Sequence, residues 1–123
     1  MRPVERSVFL RGLIGRRYGA GEAGPDTFDC YGLATLVLGK LFNTVLPVRG
    51  GGLADNRGWS QCDAQDGALC MMRNPRGRHI GVYLGPERGM IHALEAPGVV
   101  FDDDFAFPFR GCARRTFWKF NAI

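Results

Sequence analysis

The sequence predicts an α+β domain in which a cysteine-bearing N-terminal helix packs on an antiparallel sheet, and three observations carry that prediction. Apolar residues recur at helical spacing in the first third of the chain, over Val4–Ile14 and again over Cys30–Leu41. After residue 67 the period changes to the alternation of strands. The runs "NPRGR", "GPERG" and "APG" then punctuate the second half as turns. Helix first and strands after give one layer of helix on one sheet.

The elements follow in order. Val4, Val8, Leu10, Leu13 and Ile14 mark a short first helix, which breaks at the glycine-rich "GRRYGAGEAGP". Asp26, Thr27 and Asp29 offer capping oxygens for a second helix, whose stripe of Leu33, Ala34, Val37 and Leu41 includes Cys30. Asn43 and Pro47 end it. Residues 48–67, "VRGGGLADNRGWSQCDAQDG", read as a long irregular connection with at most one short helix. An antiparallel meander then runs through Ala68–Arg73, His79–Leu84, Met90–Leu94, Gly98–Asp102 and Thr116–Asn121. Asp102–Asp104 read as a solvated turn. Phe105, Phe107 and Phe109 alternate like one face of a strand that Pro108 marks as an edge. Packing is their default role; if exposed, they read as a docking surface for a protein partner.

Composition bounds the function. The 123 residues suit a single domain spanning 1–123, and 46% hydrophobic with 23% charged residues is the balance of an ordinary globular protein. The 18 glycines predict many turns. No apolar run reaches the ~20 residues of a membrane helix, and no secretion signal opens the chain, so no membrane insertion is expected. Work outside a cytoplasm would then need another carrier. The net charge is +4, with basic clusters at Arg2–Arg17, Arg73–Arg78 and Arg110–Lys119. Such a spread suits an acidic surface, a bacterial wall included, while no helix-turn-helix, zinc-finger or aromatic RNA-binding signature points to nucleic acid. Cys30, Cys62, Cys70 and Cys112 are expected to be reduced thiols. No C-x-x-C occurs, and seven residues separate Cys62 from Cys70, so neither metal nor other cofactor is expected.

The chemistry rests on three residues. His79 in "HIGVYLG" and His92 in "GMIHA" are the only histidines and fall on adjacent predicted strands. A tight turn centred on Gly85–Pro86 sets them directly opposite; a Pro86–Gly89 loop slides them apart by four residues. Either way they share a face, because side chains alternate with period two. That face is a candidate for the one the Cys30 helix covers. A helix N-terminus favours a thiolate, an imidazole can take the thiol proton and return it to a leaving amine, and a second imidazole can orient the first. Each residue also has a plain reading: a buried thiol, a strand-end histidine bonded to a carbonyl, a satisfied core histidine. What favours chemistry is their conjunction.

"FDCYGL", "DGALCMM", "RHIGVYLG" and "GMIHA", in that order, resemble the NlpC-type family of cell-wall cysteine peptidases, from about Ile14 to about Asp102. The resemblance implies a reduced papain-like fold and hydrolysis of amide bonds in peptidoglycan stem peptides, next to D-glutamate or diaminopimelate. On the family pattern Cys30 is the nucleophile, His79 the general base and His92 the residue orienting it. Tyr18 falls where the family keeps a tyrosine beside the active site, although the tryptophan and paired glycines that follow it there are altered here. Asp29 is retained from the family's Asp-Cys-Ser, while Tyr31 replaces the serine that helps bind the substrate amine. An aromatic there, with "MIHALEAPGVVFDD" and the closing "RRTFWKF", is similar to phage tail-tip members of the family. That branch implies tail-tip proteins as partners, synthesis in a bacterial cytoplasm and action in the host periplasm. Two other roles share the fold: a structural tail-tip hub or plug, and an acyltransferase, for which no apolar lid segment speaks.

Overall fold

A computed structural model describes residues 2–46, 58–74, 77–106 and 114–120. Helix α1 (Pro3–Leu13) starts on a proline, whose missing N–H is not needed in a first turn. It buries Leu10 and Leu13 but leaves Val4, Val8 and the following Ile14 exposed, so only two of the five residues of its predicted stripe face inward. Arg6 fixes that rotation by reaching Asp66 (2.7 and 2.9 Å) and Glu87 (3.0 Å). Helix α2 (Cys30–Phe42) is capped by Asp29, whose carboxylate accepts from the Gly32 N–H at 2.7 Å. It ends at Asn43, which takes the left-handed conformation (φ 49°) that asparagine tolerates. Leu33, Ala34, Val37 and Leu38 are buried, and the larger three stabilise the fold by about 1.5–3 kcal/mol each.

Between the helices, β1 (Arg17–Tyr18) and β2 (Thr27–Phe28) form a short parallel pair in the region expected to be loop. The main sheet holds β3 (Trp59–Cys62), β4 (Leu69–Asn74), β5 (Gly77–Leu84), β6 (Gly89–Leu94), β7 (Gly98–Asp103) and β8 (Arg115–Phe120). Its order is β3-β8-β4-β5-β6-β7, antiparallel throughout. The meander holds for β4–β7. Instead of extending it, β8 returns to the outer edge of β4 and carries β3 beyond it. β3 lies inside the stretch expected to be irregular, because Trp-Ser-Gln-Cys has no apolar alternation.

The sheet buries both faces. Ile80, Val82, Leu84, Ile91, Ala93 and Val99 form the main core with α1 and α2. Cys70, Met72 and Met90 form a second core on the opposite face, with Phe117 against them. Two-sided burial explains the near-continuous apolar runs of β4 and β6. No helix among the described residues is long and apolar enough to cross a membrane. Pro47, Phe107, Pro108, Phe109 and Cys112 lie outside the described residues.

Candidate active site

Cys30 is the first residue of α2 and is half-buried against the main core. The chain before it is held tightly. Asp29 Oδ2 accepts from the Gly21 N–H at 3.0 Å, and the Asp29 N–H donates to the Glu22 carbonyl at 3.0 Å. Gly32 is required here: an added Cβ would run into the Glu22 carbonyl and the Ala23 Cα. Asp29, expected beside the substrate, is buried and serves as cap and loop anchor.

The start of α2 is tied to one end of the sheet. β1 pairs with β2, which runs straight into Cys30. The residues before β1 bond to the start of β7, Gly15 N–H to Val99 carbonyl and Val99 N–H to Arg16 carbonyl, both at 2.9 Å. β7 begins, β6 ends and β5 begins at that same end, which is where His79 lies. α2 then runs on across β5 and β6, the strands that carry the histidines.

The histidines meet: His79 Nε2 lies 2.7 Å from His92 Nδ1. Their register falls between the two expected. The turn is the four residues Gly85–Arg88, closed by the Arg88 N–H on the Gly85 carbonyl (3.1 Å) with Arg88 at φ 55°. Val82 therefore faces Ile91, so that His92 is set opposite Gly81 and two residues from the position facing His79. A Cβ on Gly81 would stand 2.9 Å from both the His92 Cβ and the Ile91 carbonyl, so glycine leaves the room that this ring occupies.

Strand alternation also corrects the face. His79 pairs with Met72, and His92 lies with Met90, so both histidines project on the side of the second core and not beneath the middle of α2. The start of α2 is joined to that end of the sheet through β2, β1 and the backbone bonds between Gly15–Arg16 and Val99. Burial, and secondly the like-charge repulsion that protonating both rings of this close pair would create, push His79 down from 6.5 to about 4, which keeps its ring neutral at physiological pH.

The structure adds one residue that the sequence concealed. Asp102 is buried in β7, and its Oδ2 lies 2.7 Å from His92 Nε2. The expected solvated turn begins two residues later, at Asp104. Asp103 caps that turn at the Ala106 N–H (2.7 Å), and Asp104 accepts from the Tyr83 hydroxyl (2.7 Å) and from Arg115 (3.2 Å). A run of three aspartates hides the one whose side chain points inward; the strand alternation of "VVFDD" is the only signal that separates it.

Tyr18 is half-buried on β1, facing Phe28 two residues before Cys30, and Tyr31 packs half-buried against the main core. Cys70 is fully buried, and Cys62 is half-buried with its thiol pushed up by burial. Among the described residues no group of His, Cys, Asp and Glu is arranged to hold a metal. Phe105 is 85% exposed in the turn after β7 and does not extend a strand. A groove of about 650 Å³ between α1 and the main sheet, lined by Leu10, Ile14, Leu84, Ile91 and Phe101 among others, holds neither Cys30 nor a histidine.

Comparison with known proteins agrees with this architecture. The NlpC/P60 family matches residues 15–105. Proteins named "Probable endopeptidase p60" from Listeria seeligeri and Listeria welshimeri are 31% and 30% identical over 91 residues, 73% of this chain. The match spans only 17% of the length of either relative. The crystal structure of the NlpC/p60 domain of peptidoglycan hydrolase SagA superposes with a TM-score of 0.65 at 18% identity, covering 95% of this chain and 98% of that domain. NlpC1 from Trichomonas vaginalis gives 0.62 at 24% identity, covering 93% of this chain and 43% of that one. These similarities in fold accompany a family match over most of the chain: the protein belongs to the NlpC/P60 family.

Proposed function

We propose that the protein is a cysteine endopeptidase that hydrolyses amide bonds of peptidoglycan stem peptides. The observation that carries this reading is the buried His79–His92 pair at 2.7 Å, at the end of the sheet to which the segment leading into Cys30 is tied. His79, neutral at physiological pH, takes the Cys30 proton. The thiolate attacks the scissile carbonyl carbon, and the amides of the α2 first turn stabilise the oxyanion. As the C–N bond breaks, His79 returns the proton to the leaving amine. Water, giving its proton to His79, then cleaves the thioester, releases the new carboxylate and restores the thiol.

The substrate class follows the family and the names its similar proteins carry, a probable endopeptidase and a peptidoglycan hydrolase. Tyr18 and Tyr31 flank the region of Cys30 and are assigned to substrate binding, with Tyr31 altering how the substrate amine is held. We place the enzyme at a phage or prophage tail tip, made in a bacterial cytoplasm and delivered to the host periplasm to open the wall for genome entry. The aromatic at Tyr31 and the stretch 90–103 support that placement, and the exposed Phe105 offers a ring to a neighbouring tail protein.

Purified protein incubated with peptidoglycan is expected to release new amine ends, and Cys30→Ala to release none. Equal release by the two proteins contradicts the assignment.

A further inference from the structure

We propose that Asp102 is a positioning residue which, through His92, decides which nitrogen of His79 is the base. The kinetic part of this inference rests on the peptidase reading; the structural part does not. Three side chains on three successive strands form one line. His79 Nε2 is 2.7 Å from His92 Nδ1, and His92 Nε2 is 2.7 Å from Asp102 Oδ2. Each link is diagonal to the strand pairing: Asp102 faces Met90 and His92 faces Val100. His79, His92 and Asp102 are 6%, 0% and 3% exposed, so bulk water does not compete for these bonds.

The hydrogen positions follow from the ends of the line. An ionised carboxylate can only accept, so the His92 nitrogen facing it, Nε2, carries the hydrogen. A neutral imidazole has one N–H, which leaves His92 Nδ1 as a lone pair. The group facing that lone pair, His79 Nε2, must then donate. His79 therefore keeps its Nδ1 unprotonated, and Nδ1 is the atom that receives the thiol proton.

Without Asp102 the same two rings have a second arrangement. His92 places its hydrogen on Nδ1 and donates to His79 Nε2, so that His79 carries its own hydrogen on Nδ1 and cannot accept there. The two arrangements fit the same ring positions equally well; the carboxylate selects between them. When His79 Nδ1 takes a proton, the N–H bonds already run toward Asp102, and the new charge is stabilised without reorienting a group. Burying a carboxylate is unfavourable unless it is hydrogen-bonded, which sets Asp102 apart from its exposed neighbours Asp103 and Asp104.

The test is long-range ¹H–¹⁵N NMR of the two imidazoles in the full chain, with kinetics beside it. Wild type is expected to show both rings as Nε2–H tautomers, and so is Cys30→Ala, which isolates the geometry from activity. In Asp102→Ala, His92 loses its exclusive Nε2–H form. With it kcat falls about 10- to 100-fold while KM stays within about twofold, a smaller loss than the ~10⁴-fold of a serine-protease triad aspartate because one more ring intervenes. The near-isosteric Asp102→Asn, whose amide oxygen can still accept, retains part of both signals if the alanine variant fails to fold. An Nδ1–H tautomer of His92 in wild type overturns the inference, as does an unchanged tautomer and kcat in folded Asp102→Ala. Wild type that lacks peptidase activity but keeps both Nε2–H forms overturns the functional reading and leaves this one standing.

Discussion

At His79 the two influences on the ring act in one direction. Burial removes the solvation an imidazolium needs, and a proton on each ring of the His79–His92 pair would set two like charges side by side. A histidine held down at about 4, against 6.5 when unfolded, binds its proton more readily in the unfolded chain. Stability is therefore full above pH 6.5 and is lost as the pH falls toward 4, by up to about 3 kcal/mol. Denaturant titrations of His79→Gln are expected to lose most of that slope; an unchanged acid slope means that His79 is not the group responsible. His79 and His92 were legible as a pair because strand alternation keeps them on one face whatever the turn. Their register was not, because it depends on the four-residue turn Gly85–Arg88, whose closure needs Arg88 at positive φ. Asp102 was illegible for another reason: one inward-facing carboxylate among three looks solvated until its strand is known to reach Asp103.

Among the elements, α2 is the one on which the others depend, and its start is secured by Asp29. That carboxylate accepts from Gly32 in the first turn and from Gly21 in the preceding loop, so removing it loosens both at once. Asp29→Ala is expected to cost about 1–2 kcal/mol and to lower Tm by about 5 °C or more, measured by thermal unfolding. A change of under a degree means the cap is dispensable. α2 was readable from its stripe and its capping residues; α1 was readable as a helix, but its rotation was not. The ion pairs of Arg6 turn Val4 and Val8 outward, and a pattern of apolar residues contains no information about a partner 60 residues away. Asp66, one of those partners, is raised by burial but lowered more by the bonds from Arg6 and the Gly85 N–H, and stays ionised to receive the helix. β3 and the insertion of β8 were unreadable because sheet order is fixed by long-range pairing of short strands, not by local period.

At the scale of the molecule, the fold brings a helix start from the first third of the chain to the end of a sheet made by the rest. The sequence displayed both halves separately, a cysteine at the head of an apolar helix and two histidines on neighbouring strands. In the proposed site their meeting depends on the β1–β2 pair and on the tie between Gly15–Arg16 and Val99, none of which has a sequence signature. The net charge of +4 suits adhesion to an acidic wall but does not choose the chemistry. Reactivity at Cys30 does. Alkylation of the native protein at pH 7, followed residue by residue by mass spectrometry, tests the meeting of the two halves most directly. Cys62, whose thiol burial pushes up, and the fully buried Cys70 serve as internal references. Cys30 is expected to be alkylated at least about tenfold faster than either, and His79→Ala to remove the difference. Equal rates at Cys30 and Cys62 in wild type, or a Cys30 rate untouched by His79→Ala, would contradict that meeting.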